Sequence, residues 1–155
     1  MPRSVNSSAL KNCCAVPGPP MKSPNITVYL VEDSPIITKL LTELIETNGA
    51  RVVGHADTAS KALGDIASLR PDAVTIDISL KRGTGFDVLE GIAINSEKDP
   101  PARIVLTNFT NDAYREAATQ LGADHFFDKA RQIAEMLDTL ASIAQRKRTH
   151  EALAA

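Results

Sequence analysis

From Ile26 onward, short apolar runs alternate with stretches of helical periodicity, and this alternation limits the possible folds more than any other feature. Such a pattern is typical of parallel strands joined by crossover helices. Two of the runs, DAVTID and ARIVLT, are largely apolar, as expected of strands that are covered on both faces. The pattern predicts five strand–helix units, with strands at ITVYLV, RVVGHA, DAVTID, ARIVLT and DHFF.

Start and stop signals bound the predicted helices. Ser34 can cap the first helix, Pro35 suits its first turn, and Asn48 with Gly49 ends it. Gly122 ends the fourth helix in the same way. The sequence therefore predicts an α/β fold built on a five-stranded, parallel, doubly wound sheet.

The length of 155 residues fits one domain with short tails. We expect an N-terminal extension over residues 1–24, a domain over residues 25–144 and a C-terminal tail over residues 145–155 that is a solvated helix end. The extension contains VPGPPMKSP, which opposes helix and strand, and Met21 is an alternative start. Its adjacent Cys13 and Cys14 match neither a disulfide framework nor a metal-binding spacing.

Charge and hydropathy exclude several classes of function. A net charge of −2 argues against binding to nucleic acid through bulk electrostatics. The run Arg146, Lys147 and Arg148 is expected to be solvated. No apolar run approaches the roughly 18 residues of a membrane span, and no signal-peptide core is present, so we expect a cytoplasmic protein without membrane insertion.

Polar side chains follow the predicted strands at one edge of the sheet. Glu32 and Asp33 follow the first strand, Asp77 ends the third, Thr107 ends the fourth, and Lys129 comes two residues after the fifth. Ligands of open α/β sheets bind outside these carboxyl ends. Carboxylates about 4 Å apart repel by about 4 kcal/mol per pair at an effective dielectric near 20. A hard cation such as Mg²⁺ would offset that repulsion, and Asp77 could then act as a nucleophile toward a phosphoryl group.

The spacing of these residues resembles that of a known family. Asp77 follows Asp33 by 44 positions, and Thr107 and Lys129 follow Asp77 by 30 and 52 positions. Over about residues 24–143 the chain resembles the receiver domain of bacterial response regulators. The resemblance implies a flavodoxin-like (βα)5 fold with strand order 2-1-3-4-5.

The resemblance also implies the roles of the residues that form the site. Glu32 and Asp33 match the acidic pair that holds Mg²⁺, and Ser79 matches the position whose backbone carbonyl joins the coordination. Asp77 matches the phosphoacceptor, which also contacts the metal, and Lys129 matches the lysine that binds the phosphate.

A switch pair is implied in the same way. Thr107 matches the hydroxyl that turns toward the phosphate, and Phe126 matches the aromatic that changes rotamer on activation. A hydrogen bond to a charged oxygen contributes about 1.5–3 kcal/mol, which is enough for a useful change in affinity. We expect the output surface to be formed by the fourth helix, fifth strand and fifth helix.

The phosphoryl donor is expected to be a histidine of another protein. His55, His125 and His150 are all predicted away from the acidic edge. The implied partner is a sensor histidine kinase or a histidine phosphotransfer protein, with a downstream protein target. The chain would then be a stand-alone response regulator in a two-component system or phosphorelay, and not a conventional turnover enzyme.

Two alternatives stay open. A receiver-like adaptor that signals without phosphorylation is one, because Ala130 stands where the family often has proline and Asn108 where a small residue is frequent. A phosphatase similar to haloacid dehalogenases also uses an aspartate after a strand, but it normally needs a second aspartate where this chain has Ser79.

Overall fold

The computed structural model describes residues 26–95 and 98–154, and in these ranges five strands alternate with five helices. The predicted N-terminal extension, residues 1–24, lies outside the described residues. The elements are β1 Thr27–Val31, α1 Pro35–Thr47, β2 Arg51–Ala56, α2 Ala59–Leu69, β3 Ala73–Ile76, α3 Gly85–Asn95, β4 Ala102–Thr107, α4 Asp112–Gln120, β5 His125–Asp128 and α5 Ile133–Ala154.

The strands form one parallel sheet in the order β2-β1-β3-β4-β5, which confirms the predicted fold. The register aligns Val31 with Ile76 and Ile76 with Val105. The carboxyl ends of β1 and β3 are therefore level, and β4 continues two residues further, to Thr107. Residues that follow these strands meet at one edge, as the sequence predicted.

Helices cover both faces of the sheet and enclose two apolar layers. On one face α2, α3 and α4 pack against the sheet, with Ala62, Leu89 and Ala118 fully buried. On the other face α1 and α5 pack against it, with Leu41 and Met136 almost fully buried. Apolar burial contributes about 25 cal/mol per Å², so these two layers stabilise the sheet whose strand ends carry the polar residues.

Each strand end lies within one residue of its predicted position, and aspartates at the amino edge account for two of the differences. The side chain of Asp72 accepts a hydrogen bond from the backbone N–H of Thr27 at 2.8 Å. The side chain of Asp124 accepts one from the backbone N–H of Arg103, also at 2.8 Å. Because these carboxylates take the place of ladder carbonyls, β3 and β5 each begin one residue later than predicted.

The local signals of α1 are confirmed. The Ser34 hydroxyl accepts a hydrogen bond from the N–H of Ile37, and Pro35 is the first helical residue. The helix ends before Asn48, and Gly49 has a φ of 98°, a left-handed conformation that glycine adopts at little cost.

Helix α5 continues through residues 145–154, and one charge there is not simply solvated. Lys147 lies 3.0 Å from a carboxylate oxygen of Asp72. Helical spacing places Lys147 on the side of α5 that carries the buried Leu140 and Ala144, so its ammonium reaches the amino edge of the sheet. None of the helices in the described part of the chain is both long and apolar enough to cross a membrane.

Gly85 allows α3 to approach the end of β3 closely. A Cβ atom at this position would lie 2.5 Å from the carbonyl oxygen of Asp77 and 2.9 Å from the Cα of Ile78. These are backbone atoms and cannot move aside as a side chain could. Gly64, inside α2, is exposed, and apart from its chain neighbours and the backbone of its own helix no heavy atom lies within 4 Å of such a Cβ.

We therefore expect Gly85→Ala to lower the free energy of unfolding by about 1–3 kcal/mol through overpacking. Gly64→Ala is the matched control and should raise it by about 0.5–1 kcal/mol, because alanine is the better helix former. Urea unfolding followed by circular dichroism measures both changes. Equal stability of the wild type and Gly85→Ala would contradict the close approach.

Candidate functional site

The backbone holds both acidic strand ends in place. The N–H of Glu32 donates to the carbonyl of Ala56 at 2.9 Å, and the N–H of Asp77 donates to that of Val31 at 2.9 Å. Ladder-type hydrogen bonding thus continues one residue beyond β1 and β3. The two carboxylates consequently project from a rigid edge and not from a free loop.

Three carboxylates meet at this edge. One oxygen from each of Glu32, Asp33 and Asp77 lies within 4.8 Å of the others. Glu32 and Asp77 are only 4% and 6% exposed, whereas Asp33 is half-buried. Buried carboxylates repel one another and lose hydration, so the cluster requires a compensating cation.

Lys129 supplies one such cation. Its Nζ atom lies 2.6 Å from Oε2 of Glu32 and 2.6 Å from Oδ2 of Asp77. Its backbone N–H donates to the carbonyl of Thr107 at 2.9 Å, which fixes the chain beyond β5. The lysine therefore bridges acids that come from two different strands.

Burial and charge set the protonation of this pair. Burial would lower the pKa of Lys129, but hydrogen bonds and charges from Asp77 and Glu32 outweigh it, so the pKa is raised. For Glu32, burial raises the pKa more than the hydrogen bond from Lys129 lowers it, so the pKa of this carboxyl is above its usual value. Lys129 consequently stays protonated at neutral pH.

The residues present fit a divalent metal ion. Three carboxylates and the ammonium that contacts two of them carry a net charge of −2. The donor atoms are all oxygens, which suits Mg²⁺, a cation that commonly keeps several waters beside one or two carboxylates. The ammonium of Lys129 contacts the other two acids, and Asp33 is the most solvent-accessible of the three.

The loop after Asp77 is held against the loop after β2. The N–H of Lys81 donates to the carbonyl of Asp57 at 3.0 Å, and their side chains form an ion pair at 3.3 Å. The N–H of Ala59 donates to the carbonyl of Arg82 at 3.0 Å. Ser79, predicted to offer a carbonyl to the metal, is exposed here, and its N–H lies 3.4 Å from Oδ1 of Asp77.

The predicted switch residues lie on neighbouring strands. Thr107 is fully buried at the end of β4, and its hydroxyl oxygen accepts a hydrogen bond from the N–H of Phe109 at 3.1 Å. Phe126 is half-buried on β5 and pairs with Val105. The guanidinium of Arg115 lies 4.5 Å from the centre of its ring.

Two contacts around Thr107 and Phe126 are not apparent from the sequence. Neither the hydrogen bond from Phe109 nor the cover that Arg115 gives to Phe126 was predicted. The sequence signal that could have located the start of α4, and with it Tyr114 and Arg115, is Asn111. Its side chain caps the helix by accepting a hydrogen bond from the N–H of Tyr114 at 2.9 Å.

The cluster of ligand atoms at the acidic edge does not include His55, which was predicted away from that edge and is the next-to-last residue of β2. His55 lines a groove together with Glu32 and Asp33. The register between β1 and β2 shifts between Val28 and Tyr29, so that His55 pairs with the central Leu30. The shift of one residue changes the face on which the later side chains of β2 lie.

Comparison with known proteins places this geometry in a family. The family model for the response regulator receiver domain matches residues 28–141. Protein-glutamate methylesterase/protein-glutamine glutaminase 2 of Koribacter versatilis is 31% identical over 80% of this chain and 34% of its own length. The chain spans about a third or less of the length of the first curated relatives that it matches.

Solved structures agree with the family match. The response regulator domain of Thermotoga maritima CheB is 25% identical, with a TM-score of 0.66 over 78% of this chain and 94% of that one. The CheX–CheY–BeF3–Mg²⁺ complex of Borrelia burgdorferi contains a chain with a TM-score of 0.69 and 22% identity, over 76% of this chain and 87% of that one. The family model, the strand order and the acidic edge agree: the chain belongs to the response regulator receiver domain family.

Proposed function

We propose that this receiver domain accepts a phosphoryl group from a phosphohistidine onto Asp77 in a Mg²⁺-dependent reaction. The observation that carries the proposal is the position of Asp77, which is 6% exposed, within 4.8 Å of two other carboxylates and 2.6 Å from Lys129. Receiver domains bind Mg²⁺ at an acidic pocket, and Glu32, Asp33 and Asp77 form one here.

In the proposed reaction, a carboxylate oxygen of Asp77 attacks the phosphorus atom. An O–P bond forms while the N–P bond to the donor imidazole breaks, and the imidazole leaves with the electron pair of that bond. Bound Mg²⁺ would neutralise charge on the phosphoryl oxygens. Lys129 already donates a hydrogen bond to Oδ2 of Asp77. Its ammonium could therefore donate to a phosphoryl oxygen on Asp77 after only a small movement.

Glu32, Asp33 and the Ser79 carbonyl complete the proposed set of metal ligands. Asp33 is half-buried and lines a groove together with Glu32, and the Glu32 carboxylate accepts a hydrogen bond from the N–H of Ser34 at 3.1 Å. Each role is a proposal for this chain that follows from the family pattern and from the geometry of the acidic edge.

Signalling is proposed to follow from Thr107 and Phe126. A buried hydroxyl that donates to a phosphoryl oxygen would favour one arrangement of the end of β4 and alter the face formed by α4, β5 and α5. The proposed phosphoryl donor is a sensor histidine kinase or a histidine phosphotransfer protein in the cytoplasm, and the output is binding of a protein target or onward transfer.

The stand-alone, non-enzymatic form is a further part of the proposal. The methylesterase relatives are longer, and this chain matches only a part of them. The mass of the protein isolated from its native cells would test the proposed form. A mass near 16.6 kDa is expected, whereas a much larger polypeptide would contradict a single-domain regulator.

Incubation with acetyl phosphate and Mg²⁺ should add one phosphoryl group to the wild type, as read by intact mass. Asp77→Asn should remain unmodified, because its side chain is not a nucleophile of this kind. Asp57→Asn is the matched control, since Asp57 begins the adjacent loop but lies outside the acidic cluster, and it should be modified like the wild type. A wild type that binds Mg²⁺ but stays unmodified would favour the adaptor alternative.

Mg²⁺ should also stabilise the fold. At a concentration 100 times its dissociation constant, a ligand that binds only the folded state adds about 2.7 kcal/mol to the free energy of unfolding. We expect Asp33→Asn to lose most of this gain while being neutral or slightly more stable without metal, because one repulsive charge is removed. Urea unfolding with and without Mg²⁺ measures both effects, with Asp57→Asn as control. Equal gains in Asp33→Asn and the wild type would contradict the metal site.

A further inference from the structure

Three aromatic rings form a row that runs from the first turn of α3 through the first turn of α4 to the loop after β4. The ring of Phe86, in the first turn of α3, is stacked on Tyr114 of α4, with centroids 5.9 Å apart and planes inclined by 8°. Tyr114 also contacts Phe109, at 5.6 Å and 52°. We refer to Phe86, Tyr114 and Phe109 as the aromatic row.

At one end of the aromatic row, the backbone of Phe109 is hydrogen-bonded to the side chain of Thr107. The N–H of Phe109 donates to the hydroxyl oxygen of Thr107 at 3.1 Å. The Thr107 side chain is fully buried, whereas Phe109 is 45% exposed. If the hydroxyl turned toward a phosphoryl group on Asp77, its oxygen would leave this N–H. Phe109 would then be free to move away from Tyr114.

The other end of the aromatic row is fixed. The N–H of Gly85 donates to the carbonyl of Ile78 at 2.9 Å, and Gly85 is packed too closely for a side chain. Phe86 follows directly and, like Tyr114, packs half-buried against the core that contains α3 and α4. A change at Thr107 would therefore act on the Phe109 end and leave the Phe86 end in place.

The first turn of α4 connects the aromatic row to Phe126. Tyr114 is in this turn, and its N–H is held by the side chain of Asn111. The next residue, Arg115, covers the ring of Phe126 at 4.5 Å. Because Arg115 is the next residue in the helix, a shift of Tyr114 would also move Arg115. Such a movement would change the contact between the Arg115 guanidinium and the Phe126 ring.

We propose that Tyr114 is a positioning residue that couples the hydroxyl of Thr107 to α4 and Phe126, through contact with Phe109. This coupling rests on the proposed phosphorylation of Asp77. The proposal connects the two switch residues, Thr107 and Phe126, through specific side chains of this protein. Phe109 is the end of that path that moves.

Fluorine NMR can follow the path, because the chain has two tyrosines and no tryptophan. Fluorotyrosine labelling gives one resonance for Tyr114 and one for Tyr29, which Tyr29→Phe assigns. Tyr29 is fully buried in β1 and donates to Asp65 at 2.6 Å, so it serves as an internal reference. Bound beryllofluoride appears in the same spectrum, and we expect it to shift the Tyr114 resonance and leave that of Tyr29 unchanged.

Variants separate the coupling from the binding event. Thr107→Val keeps the side-chain shape without the hydroxyl and should bind beryllofluoride without shifting Tyr114. Thr107→Ser keeps the hydroxyl and should retain the shift, whereas Phe109→Leu should lose most of it. An unmoved Tyr114 in wild type with bound beryllofluoride, or an equal shift in Thr107→Val, would overturn the coupling alone. Wild type without any bound beryllofluoride resonance would overturn the proposed function, and the coupling with it.

A second label tests whether Tyr114 acts on Phe126. The chain has four phenylalanines, and Phe126→Leu assigns the Phe126 resonance in fluorophenylalanine-labelled protein. With beryllofluoride bound, Phe126 should shift in the wild type and in Tyr114→Phe, which keeps the ring. In Tyr114→Leu the shift should be largely lost while beryllofluoride stays bound. An undiminished shift of Phe126 in Tyr114→Leu would contradict a role for Tyr114.

Discussion

The ammonium of Lys129 is the interaction on which the acidic edge depends. It lies 2.6 Å from two carboxylates that directly follow two different strands, and both residues are more than nine-tenths buried. Without a cation, two buried carboxylates within contact distance would lose hydration and repel each other. The ion pair therefore allows the carboxylates to stay close together, whereas without it their repulsion would drive them apart. The net negative charge that remains can attract a metal ion.

Lys129 can reach both acids because of the sheet. The parallel register makes the ends of β1 and β3 level, and the backbone hydrogen bonds of Glu32 and Asp77 continue that order one residue further. Lys129 is anchored by its N–H to the end of β4. Pre-organised charges of this kind suit phosphoryl transfer, because that reaction asks a protein mainly for positioning and neutralisation.

The sequence predicted the fold and the acidic edge because both depend on periodicity and on chain position relative to strand ends. Apolar runs located the strands to within one residue, and the residues after them were correctly placed together. The contacts of Phe109, Tyr114 and Arg115 could not be predicted, since they depend on side-chain directions across three elements.

A double-mutant cycle on Lys129 and Asp77 tests this account most directly. The free energy of unfolding would be measured in Mg²⁺-free buffer for the wild type, Lys129→Met, Asp77→Asn and the double variant. The ion pair predicts that Lys129→Met is far more costly when Asp77 is present, with a coupling of about 1–3 kcal/mol. Effects that add to within about 0.5 kcal/mol would contradict the claim that this lysine holds the acidic edge together.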